Sequence, residues 1–184
     1  YLLGNRSRPL PGSVIVASGR GTRPIFTEIQ ALVTPAPEGI PPRQIAVGVD
    51  RNRLLLVTAV LQRWLGERLG NKNIFVSTGG GIDSDDPALD LGIAASIVSS
   101  VRGITFDNKL FFIGELALSG EVRSTPDLGR LLTEGARLGF RDCVISKAAL
   151  GKIPELKAMN LFGLEHIGGL LKLVPAIVDD QTMK

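Results

Sequence analysis

Two apolar, β-prone runs lie near the start of the chain, Val14 to Ala17 and Ile25 to Val33. In the second, Phe26, Glu28 and Gln30 alternate against Ile25, Thr27 and Ile29, the period of a half-buried strand. Ser18-Gly19-Arg20-Gly21-Thr22-Arg23 between them is turn material, so the two runs predict a strand pair. Four prolines (Pro35, Pro37, Pro41, Pro42) make the next segment a loop before a third strand from Gln44 to Val49. From Asn52 to Leu69 the period changes, with Leu54, Val57, Leu61, Trp64 and Leu65 at helical spacing and Gly70 as the stop.

Asn73 to Thr78 is a further strand, followed by Gly79-Gly80-Gly81 and the acidic stretch Asp83-Ser84-Asp85-Asp86-Pro87. Asp86 can cap, and Pro87 can open, a helix from Ala88 to Val101 that is apolar almost all round and therefore predicted to be buried on a sheet. Leu110 to Gly114 reads as a strand and Leu116 to Arg123 as a hairpin around Ser119-Gly120. Leu128 to Leu138 is a helix stopped by Gly139, and Cys143 to Ser146 is a strand. After a turn at Ile153-Pro154 come a strand from Leu161 to His166 and a helix from Leu170 to Val178. Strands first, then alternation with helices, predict an α+β domain, a mixed-sheet α/β sandwich with its helices on one face.

Composition adds limits. With 184 residues, 44% hydrophobic and 21% charged, the chain is globular and of one-domain size, neither a disordered polyampholyte nor a coiled coil. No apolar run reaches the ~18 residues that cross a bilayer, so a soluble protein without a membrane partner is expected. The chain opens at Tyr1 rather than Met and reads as a piece of something longer. One cysteine, Cys143, and one histidine, His166, supply neither a disulfide nor a metal cluster, which fits a reducing compartment.

Charge is uneven. Residues 1–70 hold nine Arg, no Lys and four acids, a balance of +5, whereas residues 71–184 hold twelve bases and fourteen acids, a balance of −2. Arginine's planar fork suits phosphate, so a nucleic-acid partner is permitted, although nine aromatics in apolar contexts make no base-stacking platform.

Five ordered motifs then carry a resemblance. They are Glu28-Ile29-Gln30-Ala31-Leu32-Val33-Thr34-Pro35; Gly48-Val49-Asp50-Arg51-Asn52-Arg53; Gly80-Gly81-Ile82 with Asp86-Pro87-Ala88-Leu89-Asp90-Leu91; Gly114 through Arg123; and Leu138-Gly139-Phe140. Together, over roughly residues 12–146, they resemble the C-terminal domain of the RadA (Sms) DNA repair and recombination family; the tail after Lys147 matches less well. The resemblance implies a Lon-protease-like domain of the ribosomal-protein S5 domain 2-like fold over 13–178, entered by a linker over 1–12 from an upstream ATPase and followed by a tail over 179–184.

It also implies a function in homologous recombination, where the whole protein would be a hexameric, ATP-driven branch-migration motor. Its partners would be further copies of itself, single-stranded and branched DNA, and a RecA-type recombinase. ATP, Mg and Zn would belong to the upstream domains, with no cofactor in this piece. The compartment would be cytoplasmic in a bacterium, or plastid or mitochondrial matrix in a eukaryote.

A Lon-type protease resembles Asp-Gly-Pro-Ser-Ala-Gly at the start of the buried helix and uses a lysine one helix later. Here Asp85-Asp86-Pro87-Ala88-Leu89-Asp90 puts Ala88 at the nucleophile position, and ungapped counting puts Gly129 at the lysine position. Neither residue carries the chemistry, and neighbouring Arg130 stays protonated and cannot act as the base. No catalytic residue is therefore expected.

Other features weigh towards structure. Gly79-Gly80-Gly81 lacks the Gly-Lys-Ser/Thr ending of a phosphate loop. Asp83, Asp85, Asp86 and Asp90 fit helix capping better than a cation site, so no metal is expected. His166 reads as a partly exposed structural histidine and Cys143 as an inert core thiol. Ser84, Ser96 and Ser124, with Lys109 or Lys147 as base, would be the parts of a peptidase with a relocated nucleophile, although spacing does not favour them. The DNA-binding candidates are Arg20, Arg23, Arg43, Arg51, Arg53, Arg123 and Arg130, against the ordinary alternative of a solvated face or salt bridges. A purely structural oligomerisation module is the third possibility.

Overall fold

The computed structural model describes residues 9–19, 23–79, 84–153 and 159–177. Its core is a seven-stranded sheet in the order β3-β4-β2-β1-β5-β8-β9. The strands are β1 (Ser13–Ser18), β2 (Ile25–Pro35), β3 (Gln44–Val47), β4 (Lys72–Thr78), β5 (Leu110–Phe112), β8 (Asp142–Ser146) and β9 (Asn160–Leu164). A separate short hairpin is formed by β6 (Glu115–Leu116) and β7 (Val122–Arg123). β2 alone runs against the other strands of the large sheet.

β1 explains why the sheet is a middle layer. Every residue of Ser-Val-Ile-Val-Ala-Ser is buried, the pattern of a strand covered on both faces. Val14 and Val16 join the larger core cluster under α1 (Arg51–Val60) and α2 (Asp90–Arg102). Ile15 and Ala17 point the other way, into a cluster with Phe26, Phe111, Phe140 and the apolar stripe of α3 (Leu128–Arg137). Helices thus lie on both faces, which corrects the one-face expectation. α3 crosses to the second face because Leu128, Leu131 and Leu132 seat against β1, β5 and β8, and Gly135 lets it approach Phe111 closely; a Cβ there would sit 2.7 Å from the Phe111 ring. The mixed-sheet sandwich is as expected.

α1 also ends early. It continues as one π turn over Leu61–Leu65 and stops at Gly66, whose φ of 72° is the left-handed conformation that favours glycine, and not at Gly70. The stop turns the chain so that buried Glu67 accepts from Arg102 Nε at 2.8 Å, tying the end of α1 to the last turn of α2. Along α1 the predicted apolar face is buried at Leu54, Val57 and Leu61, while Trp64 is left exposed. The other strands and helices fall within a few residues of their predicted spans, the last being α4 (Leu170–Ile177). The Pro154 end of the predicted turn, and Val178, lie outside the described residues.

Candidate functional site

The topology gathers three helix starts at one end of the sheet. α1 follows β3, α2 follows β4, and α3 follows the hairpin beyond β5, so all three begin where parallel strands end. In open sheets this edge is where ligands collect. Here the acids of that edge act mainly on the protein itself. Asp50 caps α1, accepting from the Arg53 N–H at 3.0 Å. Asp86 caps the turn before α2, accepting from the Ala88 N–H at 3.0 Å and from the Ser18 hydroxyl at 2.5 Å. Pro87 opens that turn, as the sequence predicts.

Asp90 is the most deeply committed acid. Its side chain is 2% exposed and takes both prongs of the Arg53 guanidinium, Nε at 2.7 Å and Nη2, while also accepting from the Leu116 N–H at 3.1 Å. One carboxylate therefore joins α1, α2 and the hairpin. Burial pushes its carboxyl above the usual range, against the pull of Arg53 and the Leu116 N–H; the same contact raises the Arg53 guanidinium. Among the described residues no three His, Cys, Asp or Glu side chains are grouped to hold a metal ion; Asp83 lies outside them, as do Gly80 and Gly81.

Ala88 and Gly129, which the resemblance would match to a protease dyad, share the α3 side of the sheet. Ala88 is buried in the cluster that contains Leu128, and Gly129 is the next residue of α3, exposed, with open space where its Cβ would be. Of the alternative serines, Ser96 is buried and donates to Ile93 O at 2.8 Å, Ser84 accepts from the Asp86 N–H, and exposed Ser124 donates to Thr125 O. Lys147 faces Glu165 at 3.4 Å and Lys109 lies beside Gly139, so among the described residues neither lysine is bonded to any of the three. Burial raises the Cys143 thiol well above its ordinary value, the state of an inert core cysteine.

The arginine candidates divide. Arg20 lies outside the described residues. Arg51 and Arg23 are exposed, at the start of α1 and ahead of β2. Arg123 is exposed on β7 with Glu121 at 3.3 Å. Arg130 donates to Gly19 O at 2.6 Å and faces Asp127 at 3.4 Å, closing α3 onto the β1–β2 turn. Arg53 is spent on Asp90. Arg43 stands apart, at the opposite end of the sheet before β3, where its N–H meets Asn73 Oδ1 at 2.9 Å.

Spacing gave no hint of a second constellation, 102 residues apart in the chain. The Trp64 and His166 rings stand perpendicular with their centroids 5.2 Å apart, Arg63 lies over the indole at 4.7 Å, and the Trp64 Nε1–H donates to Leu118 O at 2.9 Å. His166 Nε2 donates to Ser119 O at 2.8 Å, while Nδ1 accepts from the Gly168 N–H at 3.1 Å. The pair clamps the hairpin tip, a structural role for His166.

The family model described as subunit ChlI of Mg-chelatase matches residues 51–149, from the first turn of α1 to the end of β8 and the short turn after it. The chain belongs to this family. It is also similar to proteins named DNA repair protein RadA. That of Halalkalibacterium halodurans is 44% identical over 171 residues, covering 93% of this chain and 37% of the relative. Those of Bacillus subtilis and Listeria monocytogenes are 39% and 41% identical, covering 92% and 88% of this chain and 37% and 35% of theirs. The chain thus spans little more than a third of the length of these relatives. No helix among the described residues is long and apolar enough to cross a membrane.

Proposed function

We propose that this chain is a noncatalytic Lon-protease-like domain, of the ribosomal-protein S5 domain 2-like fold, in a DNA repair protein of the RadA type. In this reading it supports hexamer assembly and DNA binding during ATP-driven branch migration in homologous recombination. The observation that carries it is 44% identity to a DNA repair protein RadA across 93% of the chain, a longer match than the stretch shared with the chelatase subunit model. ATP, Mg and Zn chemistry belongs to other parts of the whole protein, its partners are branched or single-stranded DNA and a RecA-type recombinase, and a bacterial source would place it in the cytoplasm.

Two features support this reading, the first its noncatalytic part and the second its DNA contact. Ala88 supplies no nucleophilic atom and Gly129 no base, and the α2 start is held by Asp86 and Asp90 in place of a reacting serine. Exposed Arg51, Arg23 and Arg123 sit at one end of the sheet, where guanidinium forks can neutralise phosphates without reading bases.

Fluorescence anisotropy with labelled single-stranded and duplex DNA across a salt series tests it, with oligomeric state followed on the same samples. The expected result is binding whose log affinity falls against log salt by about 0.9 for each duplex phosphate neutralised. Charge reversal at Arg51 and Arg123 should weaken it while leaving the assembly intact. Assembly without salt-sensitive binding would replace this reading with that of a purely structural oligomerisation module.

A further inference from the structure

α1 is apolar on more sides than the core uses. Leu54, Leu55, Leu56 and Val57 run apolar around a full turn, the pattern of a helix buried on every side. Leu54, Val57, Val60 and Leu61 fill the core cluster on the sheet side. On the outer side Leu55 and Leu56 are 42% and 44% exposed, and Ala59, one turn on, is exposed beside them.

The exposed charges of α1 and the turn after it are of one sign. Arg51 stands at the start, and Arg63 and Arg68 at the end, all exposed; the Glu67 N–H returns to Leu61 O at 3.4 Å, which keeps Arg68 there. The acids of this region are turned inward: Asp50 caps α1, Asp90 holds Arg53, and Glu67 holds Arg102. Arginines on the surface of α3 carry an acid of their own helix end, Arg130 beside Asp127 and Arg137 beside Glu134. Among the described residues no acid pairs with Arg51, Arg63 or Arg68, and Arg63 rests on the Trp64 indole.

We propose that the outer face of α1 docks an acidic amphipathic helix of a partner protein, with the partner's apolar stripe on Leu55, Leu56 and Ala59 and its carboxylates on Arg63 and Arg68. A phosphate backbone would pair with the arginines but leave the leucines wet, whereas an acidic amphipathic helix covers both. Small Ala59 lets the second helix axis come close. The stretch from Arg51 to Arg63 is about 18 Å long at the helical rise, so the partner meets it over roughly three turns. This surface goes beyond the DNA reading above, with which it shares Arg51 alone.

The test is anisotropy of a labelled synthetic helix of about 18 residues, leucines at helical spacing flanked by glutamates, titrated with the full chain. A second peptide carries lysine in place of each glutamate. The glutamate peptide should bind saturably and more weakly as salt rises, and the lysine peptide should not bind. Arg63→Glu combined with Arg68→Glu should weaken binding about tenfold, and so should Leu55→Ser combined with Leu56→Ser. No binding of the glutamate peptide, or binding that ignores both double variants, would overturn the proposal. Three other occupants would overturn it too. Duplex DNA that displaces the peptide and is itself weakened by the leucine variant would make this a nucleic-acid surface. Wild-type self-association in sedimentation velocity that the leucine variant abolishes would give the face to a second copy. Binding that appears only after Asp179→Asn with Asp180→Asn would give it to the chain's own tail. If the leucine variant lost its near-ultraviolet dichroism, the exposed arginine pair alone would decide.

Discussion

Replacing Arg53 with Met removes the guanidinium but keeps most of the side chain's apolar length, leaving Asp90 with the Leu116 N–H alone. Breaking a buried ion pair from one side costs about 3 to 5 kcal/mol. Arg53 keeps 22% of its side-chain surface in contact with water, so the lower end applies, about 3 kcal/mol, or a roughly 100-fold fall in the folding constant. Asp90→Leu should be milder, about 1 to 2 kcal/mol: the released Arg53 can turn to water and the main loss is the acceptor for Leu116. The double variant Arg53→Met with Asp90→Leu should lie within about 1 kcal/mol of wild type, because an apolar pair carries no desolvation cost.

Urea denaturation of the four proteins near neutral pH gives the cycle. Acidity supplies a second axis. In Arg53→Met, burial holds the Asp90 carboxyl above its unfolded value with less opposition than in the wild type. A raised carboxyl favours the fold while protonated, and that contribution is lost as pH rises through the folded value. The deficit of Arg53→Met against wild type should therefore shrink in acid. A neutral-pH cost below about 1 kcal/mol, the worth of an exposed pair, would refute the argument, as would a deficit that does not change with pH.

Glycines of α2 and α3 should respond in opposite directions. Gly92→Ala puts a Cβ inside the surface of Val16 Cγ1 and should cost about 1 to 3 kcal/mol despite the better helix former, whereas Gly129→Ala enters open space and should gain about 0.5 kcal/mol; thermal melts compare them. His166→Ala removes the bonds to Ser119 O and the Gly168 N–H, so the emission of Trp64, the single tryptophan, should shift to the red and stability should fall by about 1 to 2 kcal/mol. A thiol as buried as that of Cys143 should react with a disulfide reagent only as fast as the fold opens; rapid labelling of the native protein would contradict its placement.

Local pattern was enough to locate most elements because their signals are local. Asp86 before Pro87 announces a capped helix start, and Gly120, Gly103 and Gly139 end segments where a positive φ is required. The side of the sheet that α3 occupies was not legible, since Leu128, Leu131 and Leu132 specify a buried stripe without naming the face beneath it. The stop at Gly66 was hidden for a related reason. Two glycines follow the apolar stripe, and the tertiary pair Glu67–Arg102 selects the first. The arginines show the limit for the site: Arg51 and Arg53 look alike in sequence, yet only Arg53 faces an acid 37 residues away on another helix.

That acid gives the edge of the sheet its present character. A reacting serine at the start of α2 would need a neighbouring base and access for a peptide. Here the turn holds buried Ala88 capped by Asp86, and one residue past Leu89 a carboxylate draws α1 and the hairpin onto α2. Such an arrangement ties α1, α2 and the hairpin together, and Leu55 and Leu56 face outward from α1. Arg53→Met should therefore cost more stability than Arg130→Met, whose partners Gly19 and Asp127 lie on the α3 side and whose ion pair is half exposed, when both are measured by urea denaturation.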